Sequence, residues 1–274
     1  MGWAKQLGKD SRGSRPRCVL LVDGGGEEVA GRLTRLVGVD DVTISGDDIW
    51  MPRGRPVQRE DGSWDATVAA GVELDKPNDL LSLEISERLS NWWLAVSEND
   101  PRTPNWDIAS TCTVRGRKGL LLVEAKAHWN EVAGSSKGKR LGKPASNGTL
   151  KNHEKIGEAI GEAAVGLRTV TGGRWGISRD SHYQLSNRFA WSWKLASLGV
   201  PVILVYLGFL YATDIAKGGN LFHSEAHWER VVRGHCEGVV DSGCWGRWLD
   251  VDGVPFIPLI RAMEQPIGMM RAEV

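Results

Sequence analysis

Two carboxylates and a lysine occur close together in segments that have the character of β-strands. Asp107 opens one such segment, and Glu124-Ala125-Lys126 closes the next. A pair of carboxylates offers the hard oxygen ligands that Mg²⁺ prefers, with waters and a substrate phosphate completing its coordination. A lysine beside them can orient a water or offset charge that grows on the phosphoryl group. These residue types therefore suit metal-assisted hydrolysis of a phosphodiester.

The element that carries Glu124 and Lys126 is predicted to be a buried strand. Residues 120–123 form a continuous apolar run, Leu-Leu-Leu-Val, which is typical of a strand covered on both faces. Side chains alternate across a strand, so Glu124 and Lys126 project from one face while Ala125 faces the other way. Both charged groups are therefore expected on the same side of a sheet.

A hairpin is predicted to bring the aspartate to that side. Residues 107–118 indicate a second strand followed by a polar turn that contains a glycine. Pairing Val114 with Gly119 across this turn places Asp107 opposite Lys126. A shift of one residue would turn the aspartate to the other face, so the prediction depends on the register.

This arrangement resembles the PD-(D/E)xK nuclease superfamily, whose signature is an aspartate followed by Glu-x-Lys on a neighbouring strand. Asp107, Glu124 and Lys126 match the signature, although two residues separate the aspartate from the proline that often directly precedes it in the family. The resemblance implies a restriction-endonuclease-like fold. It also implies that Mg²⁺ or Mn²⁺ is held by both acids and by the main-chain carbonyl of Ala125, and that the lysine acts on the nucleophilic water. The alternative is a salt-bridged surface hairpin without catalytic function.

A helix upstream of the strands is predicted to begin after Asn78 or Asp79 and to end near Val96, with apolar residues at helical spacing. The superfamily core begins with such a helix, and several members carry on it a glutamate that faces the metal. Glu87 is similar to that residue, and Glu84 is the competitor. An exposed helix acid that pairs with a neighbouring arginine is the alternative for either.

Downstream, Ser181 is predicted to cap a helix that Gly199 ends, and residues 200–209 form an apolar run expected of a central strand. Gln184 and Arg188 lie one turn apart on this helix. They resemble the polar groups that some family members direct toward nucleic acid, where both would contact phosphate. The alternative for both is an ordinary solvated helix face.

A basic stretch between these helices is predicted to be a mobile loop that leads into a helix. Its cations are Lys137, Lys139, Arg140, Lys143, Lys151 and Lys155, spaced by Gly, Ser, Pro and Asn. A flexible cationic loop after the catalytic strand could neutralise phosphates, which would make affinity depend strongly on salt. Lys137, Lys139 and Arg140 are therefore predicted contacts to nucleic acid, and a solvated linker is the alternative.

The whole chain is predicted to be an α/β protein with a mixed central β-sheet flanked by α-helices. Residues 76–274 would form the nuclease-like domain, and residues 1–75 an N-terminal extension or small accessory layer. Within that layer, residues 18–22 indicate a strand and residues 27–36 a helix. The glycines at 24–26 lack the lysine and hydroxyl residue of a phosphate-binding loop, so they predict a turn.

Composition limits the class of protein. The 274 residues, 41% of them hydrophobic, suffice for a sizeable core. A formal net charge of zero argues against a protein that coats nucleic acid indiscriminately, yet it permits a local basic groove. No segment has the pattern of a signal peptide or the length of a membrane span, so a cytoplasmic protein without a membrane partner is expected. Four cysteines without paired metal spacing predict reduced thiols.

These observations together predict a Mg²⁺- or Mn²⁺-dependent nuclease that acts on DNA. A homodimer is expected if both strands are cut, since that commonly needs two sites. The main alternative is a noncatalytic DNA-binding or assembly module that retains the nuclease fold. His223 and His227 stand four residues apart but lack the adjacent glutamate of a zinc peptidase, so a zinc site is not predicted there.

Overall fold

A seven-stranded mixed sheet forms the centre of the protein. The computed structural model describes residues 2–98, 100–142, 144–215 and 220–267. The strands are β1 (Val42–Thr43), β2 (Trp50–Met51), β3 (Val57–Gln58), β4 (Trp64–Asp65), β5 (Val72–Glu73), β6 (Asn105–Trp106), β7 (Ile108–Val114), β8 (Arg117–Lys126), β9 (Val202–Leu210), β10 (Leu249–Val251) and β11 (Val254–Glu264). The order in the main sheet is β1-β7-β8-β9-β11-β10, with β2 also paired to β7, while β3–β4 and β5–β6 form two small sheets.

The central strands of the main sheet are parallel and its outer pairs are antiparallel. β8 pairs with β9, and β9 with β11, in parallel. The β7–β8 hairpin, the β10–β11 hairpin and the two short strands on β7 are antiparallel. Parallel neighbours need a long crossover, and helices supply it between β8 and β9. The predicted mixed sheet flanked by helices is confirmed.

Helices cover both faces of this sheet. They are α1 (Ser14–Leu21), α2 (Gly26–Val37), α3 (Leu83–Trp93), α4 (Trp129–Ser135), α5 (Asn147–Thr171), α6 (Tyr183–Ser197) and α7 (Glu225–Cys236), with short 3₁₀ helices at Trp3–Asp10, Thr67–Ala69, Thr213–Ile215 and Ser242–Cys244. Leu120 and Leu122 of β8 pack in one core with α3, α5, α6 and α7. Leu121 and Val123 pack in a second core with α1 and α2. The alternation predicted for this strand thus separates the two cores.

The N-terminal segment differs from its prediction in one element. Residues 18–22, predicted as a strand, lie mostly within helix α1, which buries Cys18 and Leu21 against the sheet. A short apolar run has no period that distinguishes strand from helix, and Pro16 in the first turn is compatible with a helix. The helix predicted at 27–36 is confirmed as α2. The division of the chain near residue 75 stays a prediction.

The helix upstream of the hairpin begins later than predicted. Ser82 caps α3 by accepting a hydrogen bond from the amide of Ile85. Asn78 instead closes a turn, since its side-chain oxygen accepts from the amides of Leu80 and Leu81 at 2.9 and 3.1 Å. An asparagine serves a helix cap and an Asx turn equally well, so residue type does not separate the two.

The helix and strand predicted downstream are confirmed as α6 and β9. The N-cap of α6 is His182, in the left-handed conformation, rather than Ser181. In the part of the chain that the structure describes, no helix has both the length and the apolar character needed to cross a membrane.

Candidate functional site

A tight hairpin brings Asp107 to the end of β8 that carries Glu124 and Lys126. Its turn consists of Arg115 and Gly116, both with positive φ, at 49° and 75°. Turns of this kind match the right-handed twist of the strands that they join. The glycine supplies one left-handed position without steric cost.

The register predicted for this hairpin is wrong by two residues. Val114 pairs with Arg117 rather than with Gly119, because the turn has two residues instead of four. Continued past the end of β7, this pairing places Asp107 beside Glu124 instead of opposite the lysine. A shift of two residues preserves the alternation of side chains, so the aspartate stays on the predicted face.

Asp107 is held by the backbone of the neighbouring strand. Its Oδ2 accepts a hydrogen bond of 2.8 Å from the amide of Ala125, and the residue is half-buried. Burial, together with the negative charge of Glu124, raises the pKa of Asp107 to about 6. The two carboxylates are therefore close enough to destabilise each other when both are ionised.

The raised pKa of Asp107 gives a pH dependence with a definite sign. The folded protein binds this proton more tightly than the unfolded chain, so the carboxyl's contribution to stability is present below about pH 4. It is lost as the pH rises through about 6. The side chain in Asp107→Asn cannot ionise. We therefore expect the melting temperature of the variant minus that of wild type to increase from pH 4.5 to pH 7.5. Calorimetry at both pH values measures this difference.

Asp41→Asn is the matched control for that measurement, because Asp41 is exposed and pairs with Arg115 at the far end of the same hairpin. The difference in melting temperature between Asp41→Asn and wild type should not increase from pH 4.5 to pH 7.5. A gap between Asp107→Asn and wild type that stays constant across this pH range would contradict the burial of a charged Asp107.

Glu124 is the most buried group of the site, with 1% of its surface exposed. Its Oε1 accepts from Nζ of Lys126, and its Oε2 accepts from Nε of Arg188 at 2.6 Å. Burial alone would raise the pKa of Glu124, but the two cations outweigh it and hold the pKa below its usual range. Glu124 is therefore a carboxylate at neutral pH, and each of its oxygens bonds to a cation.

Lys126 is protonated in this arrangement. Its ammonium donates to Glu124 and, at 3.0 Å, to Oε1 of Gln184. Burial lowers the pKa of Lys126, but the charges of Glu124 and Asp107 outweigh burial and raise it. A charged ammonium can orient a water or stabilise a developing anion, whereas it cannot remove a proton.

Helix α6 supplies one partner to Lys126 and one to Glu124, and the second corrects the prediction for Arg188. Gln184 reaches Lys126, but Arg188 lies inside the protein with 4% exposure. Its guanidinium bonds Glu124 and the carbonyl of Asn105, instead of facing solvent where a phosphate would reach it. Burial next to a carboxylate explains the difference, since an arginine is rarely buried without a partner.

Glu87 lies away from these side chains on the exposed face of α3. The buried face of that helix carries Ser86, Leu89, Trp92 and Trp93. Glu84, the competitor, is also exposed and stands 3.8 Å from Arg88. The structure thus brings neither glutamate into the group formed by Asp107 and Glu124, in contrast to the prediction for Glu87.

The first part of the basic stretch after β8 is hydrogen-bonded to the segment that leads into α6, and its mobility stays a prediction. The amide of Lys139 donates to the carbonyl of Arg179 at 2.8 Å, and the amide of Tyr183 donates to the carbonyl of Lys137 at 3.0 Å. Gly138 lies so close to the backbone of Asp180 that a Cβ at this position would clash with the carbonyl oxygen of Asp180. Lys143 lies outside the described residues.

A cavity of about 610 Å³ opens where this stretch meets the start of α5. Arg102, Lys139 and Arg140 line it, together with Glu98 and residues at the first turn of the helix. Nζ of Lys139 lies 4.9 Å from the centre of the Tyr183 ring, and burial lowers the pKa of Lys139. Within residues 144–215 and the other described ranges, no carboxylate lies within ion-pair distance of this ammonium. The cavity therefore offers positive charge that acidic side chains do not fully balance.

Glu131 is a carboxylate near the site that sequence reasoning did not single out. It lies in the first turn of α4, directly after β8, where its Oε2 accepts from the amide of Ala127 and its Oε1 from Ser14. Its charge also contributes to the raised pKa of Lys126. No capping-box signal marks it in the sequence, because the N-cap residue three positions before it is His128 rather than a serine or threonine.

Of the predicted site residues, the structure brings two carboxylates together, Asp107 and Glu124. A divalent ion of the Mg²⁺ type can be held by one or two carboxylates, with waters and substrate phosphate as further ligands, so Asp107 and Glu124 fit such an ion. The raised pKa of Asp107 fits as well, because a nearby cation would relieve the repulsion. No cluster of three or more His, Cys, Asp or Glu side chains suited to a metal occurs in the ranges that the structure describes.

Comparison with known proteins finds no relative of this chain. No family model matches the chain, and neither a curated protein nor a solved structure matches it. Inference about activity therefore depends on the residues and geometry of the site.

Proposed function

We propose that this chain is a metal-dependent nuclease of the PD-(D/E)xK superfamily, with a restriction-endonuclease-like core, that hydrolyses phosphodiester bonds of DNA. The observation that carries the proposal is the meeting of Asp107, Glu124 and Lys126 on one face of the sheet at the end of β8. A cytoplasmic location and a homodimer stay predictions.

The three residues divide the chemistry between them. Bound Mg²⁺ or Mn²⁺ would act as a Lewis acid and lower the pKa of a coordinated water. Asp107 and Glu124 provide carboxylate oxygens for that ion, and the carbonyl of Ala125 is proposed beside them. Lys126, held by Gln184, donates hydrogen bonds to the attacking water or to a phosphoryl oxygen on which charge develops.

The basic cavity is proposed to hold the substrate backbone next to the cleaved bond. Lys139 contacts Tyr183, which directly precedes the residue that bonds Lys126. Arg102 and Arg140 are exposed at the same cavity. Cations in such a place bind phosphates and release counterions.

The double variant Arg102→Gln/Arg140→Gln is expected to weaken DNA binding uniformly across sequences. If each arginine neutralises one phosphate, the slope of log affinity against log salt should become shallower by roughly 0.7 to 0.9 for each arginine replaced. Fluorescence anisotropy at several salt concentrations, in EDTA, measures the slope. Arg35→Gln/Arg230→Gln is the control, since both arginines are exposed and neither lines the cavity. Equal slopes for the two double variants would remove the cavity from the binding surface.

One observation favours a second function, a noncatalytic DNA-binding or assembly module. Both oxygens of Glu124 already bond to cations, Lys126 and Arg188, and the carboxylate is almost fully buried. A fold that keeps these ion pairs for stability would need no metal. This module would bind DNA without cutting it.

Cleavage assays on the purified full chain separate the two functions. Supercoiled plasmid, linear duplex, single-stranded DNA and RNA are each incubated with Mg²⁺, with Mn²⁺ or with EDTA. The nuclease predicts products with either metal and none in EDTA. Binding in EDTA without cleavage in either metal would favour the module, and absence of both binding and cleavage would overturn both functions.

A further inference from the structure

Three hydrogen bonds and one aromatic ring hold the guanidinium of Arg188. Nε bonds Oε2 of Glu124 at 2.6 Å, Nη2 bonds the carbonyl of Asn105 at 2.7 Å, and Nη1 bonds the side-chain oxygen of Asn187 at 3.0 Å. The guanidinium carbon lies 4.4 Å from the centre of the Trp106 ring. Of these contacts, only the bond from Nε joins Arg188 to one of the two carboxylates, Asp107 and Glu124.

Two fixed cations already lie at the carboxylates before any ion enters. Asp107 and Glu124, when ionised, carry two negative charges, and Lys126 and Arg188 carry two positive ones that offset them. A divalent cation would therefore enter a group that already contains two fixed cations. At an effective dielectric constant near 20, one fixed charge within several ångströms of a divalent ion changes its affinity by more than tenfold.

We propose that Arg188 competes with a divalent metal ion for the carboxylate of Glu124. When the metal binds, Arg188 gives up its bond to this carboxylate, so Arg188 sets the metal affinity of the site. The inference rests on the proposed metal-dependent function. Arg188 is suited to this because Asn105, Asn187 and the Trp106 ring hold its guanidinium in place when the carboxylate of Glu124 turns away from Nε toward the ion. Arg188 is a positioning residue here, since it acts through Glu124.

Mn²⁺ binding to the full chain without DNA tests the proposal by titration calorimetry. We expect Arg188→Gln to bind Mn²⁺ at least about tenfold more tightly than wild type, because the competing charge is gone. Lys194→Gln is the matched control, since Lys194 lies on the same helix and pairs with Glu162. Its affinity should equal that of wild type. A purely structural role for Arg188 predicts unchanged or weaker binding.

The outcomes separate this inference from the proposed function. If wild type binds Mn²⁺ and the folded Arg188→Gln variant binds it with equal or lower affinity, Arg188 does not compete with the ion and the inference is wrong, while the proposed function stands. If neither protein binds Mn²⁺, the metal-dependent function fails and the inference fails with it.

Arginine NMR on wild type keeps the test independent of how well the variant folds. With ¹⁵N-labelled arginine, the Nε–H resonance of Arg188 should shift or broaden during a Mg²⁺ titration, with the same midpoint as the calorimetric heat. Arg188→Lys assigns the resonance by its loss. A resonance that stays unchanged while Mg²⁺ binds would overturn the proposal.

Discussion

Lys126→Met is expected to abolish metal-dependent DNA cleavage, lowering the single-turnover rate by about 10² to 10⁴-fold. Losses of this size follow when a group that assists proton transfer or stabilises a developing charge is removed. The fold should tolerate the change, because methionine has a similar length, the side chain is only 10% exposed, and Glu124 keeps its bond to Arg188. Single-turnover assays on labelled DNA measure the loss, and circular dichroism confirms folding.

Lys118→Met is the control, since Lys118 lies on the same strand but is exposed at the opposite end. Its rate should stay close to that of wild type. Asp107→Asn should lose cleavage as Lys126→Met does, since an amide is a much poorer metal ligand than a carboxylate. Undiminished cleavage in both site variants would remove the trio from the mechanism.

Glu124→Ala should lower the free energy of unfolding by about 3–5 kcal/mol, the largest stability effect that we expect in the site. Lys126 and Arg188, both buried, would lose the carboxylate that balances their charges. Removing one partner of a buried ion pair leaves the remaining charge uncompensated in a poorly solvated place. Urea unfolding at pH 7 measures the change.

Glu84→Ala is the control for that loss, because Glu84 is exposed and stands 3.8 Å from its basic neighbour. We expect an effect within about 0.5 kcal/mol. Arg188→Met added to Glu124→Ala should restore part of the lost stability, since an apolar side chain then replaces an unpaired charge. A loss below about 1 kcal/mol in Glu124→Ala would show that the buried cations find other partners.

The stability effects expected for Glu124→Ala and Asp107→Asn assign different roles to the two acids of the motif. Glu124 neutralises two buried cations, so the fold depends on it even without a metal. Asp107 has a pKa of about 6 and accepts one hydrogen bond, from a backbone amide. Removal of its charge at neutral pH should therefore increase the stability of the fold. A nuclease would use both carboxylates, whereas a binding module would retain Glu124 alone for stability.

The elements of the fold were predictable where the pattern was long and regular. Strand β9, helix α2 and helix α6 followed from apolar runs and helical spacing. The short run at 18–22 was not, because five residues have too few alternations to exclude a helix. The start of α3 also escaped, because Asn78 and Ser82 are both good caps and only the packing of the helix chose between them.

In the candidate site, too, local features were predictable from the sequence and long-range contacts were not. The shared face of Glu124 and Lys126 follows from the alternation of strand residues, which is local and survives an error of two residues in register. The turn is shorter than the sequence predicts, since Arg115 takes a left-handed conformation that its residue type does not favour. Residue spacing on α6 gave Gln184 and Arg188 one face but not its direction, and that face points inward at the sheet.

By itself, the sequence determined which residues can do chemistry and that Asp107, Glu124 and Lys126 fall on one side of a sheet, because backbone geometry within a strand or a tight hairpin depends on near neighbours. The tertiary structure alone decided that Arg188, 64 residues away, binds Glu124, and that Glu87 remains exposed. Such contacts depend on how distant helices pack on the sheet. Local residue patterns carry no record of that packing, since an arginine on an amphipathic helix looks the same whether it meets solvent or a buried carboxylate.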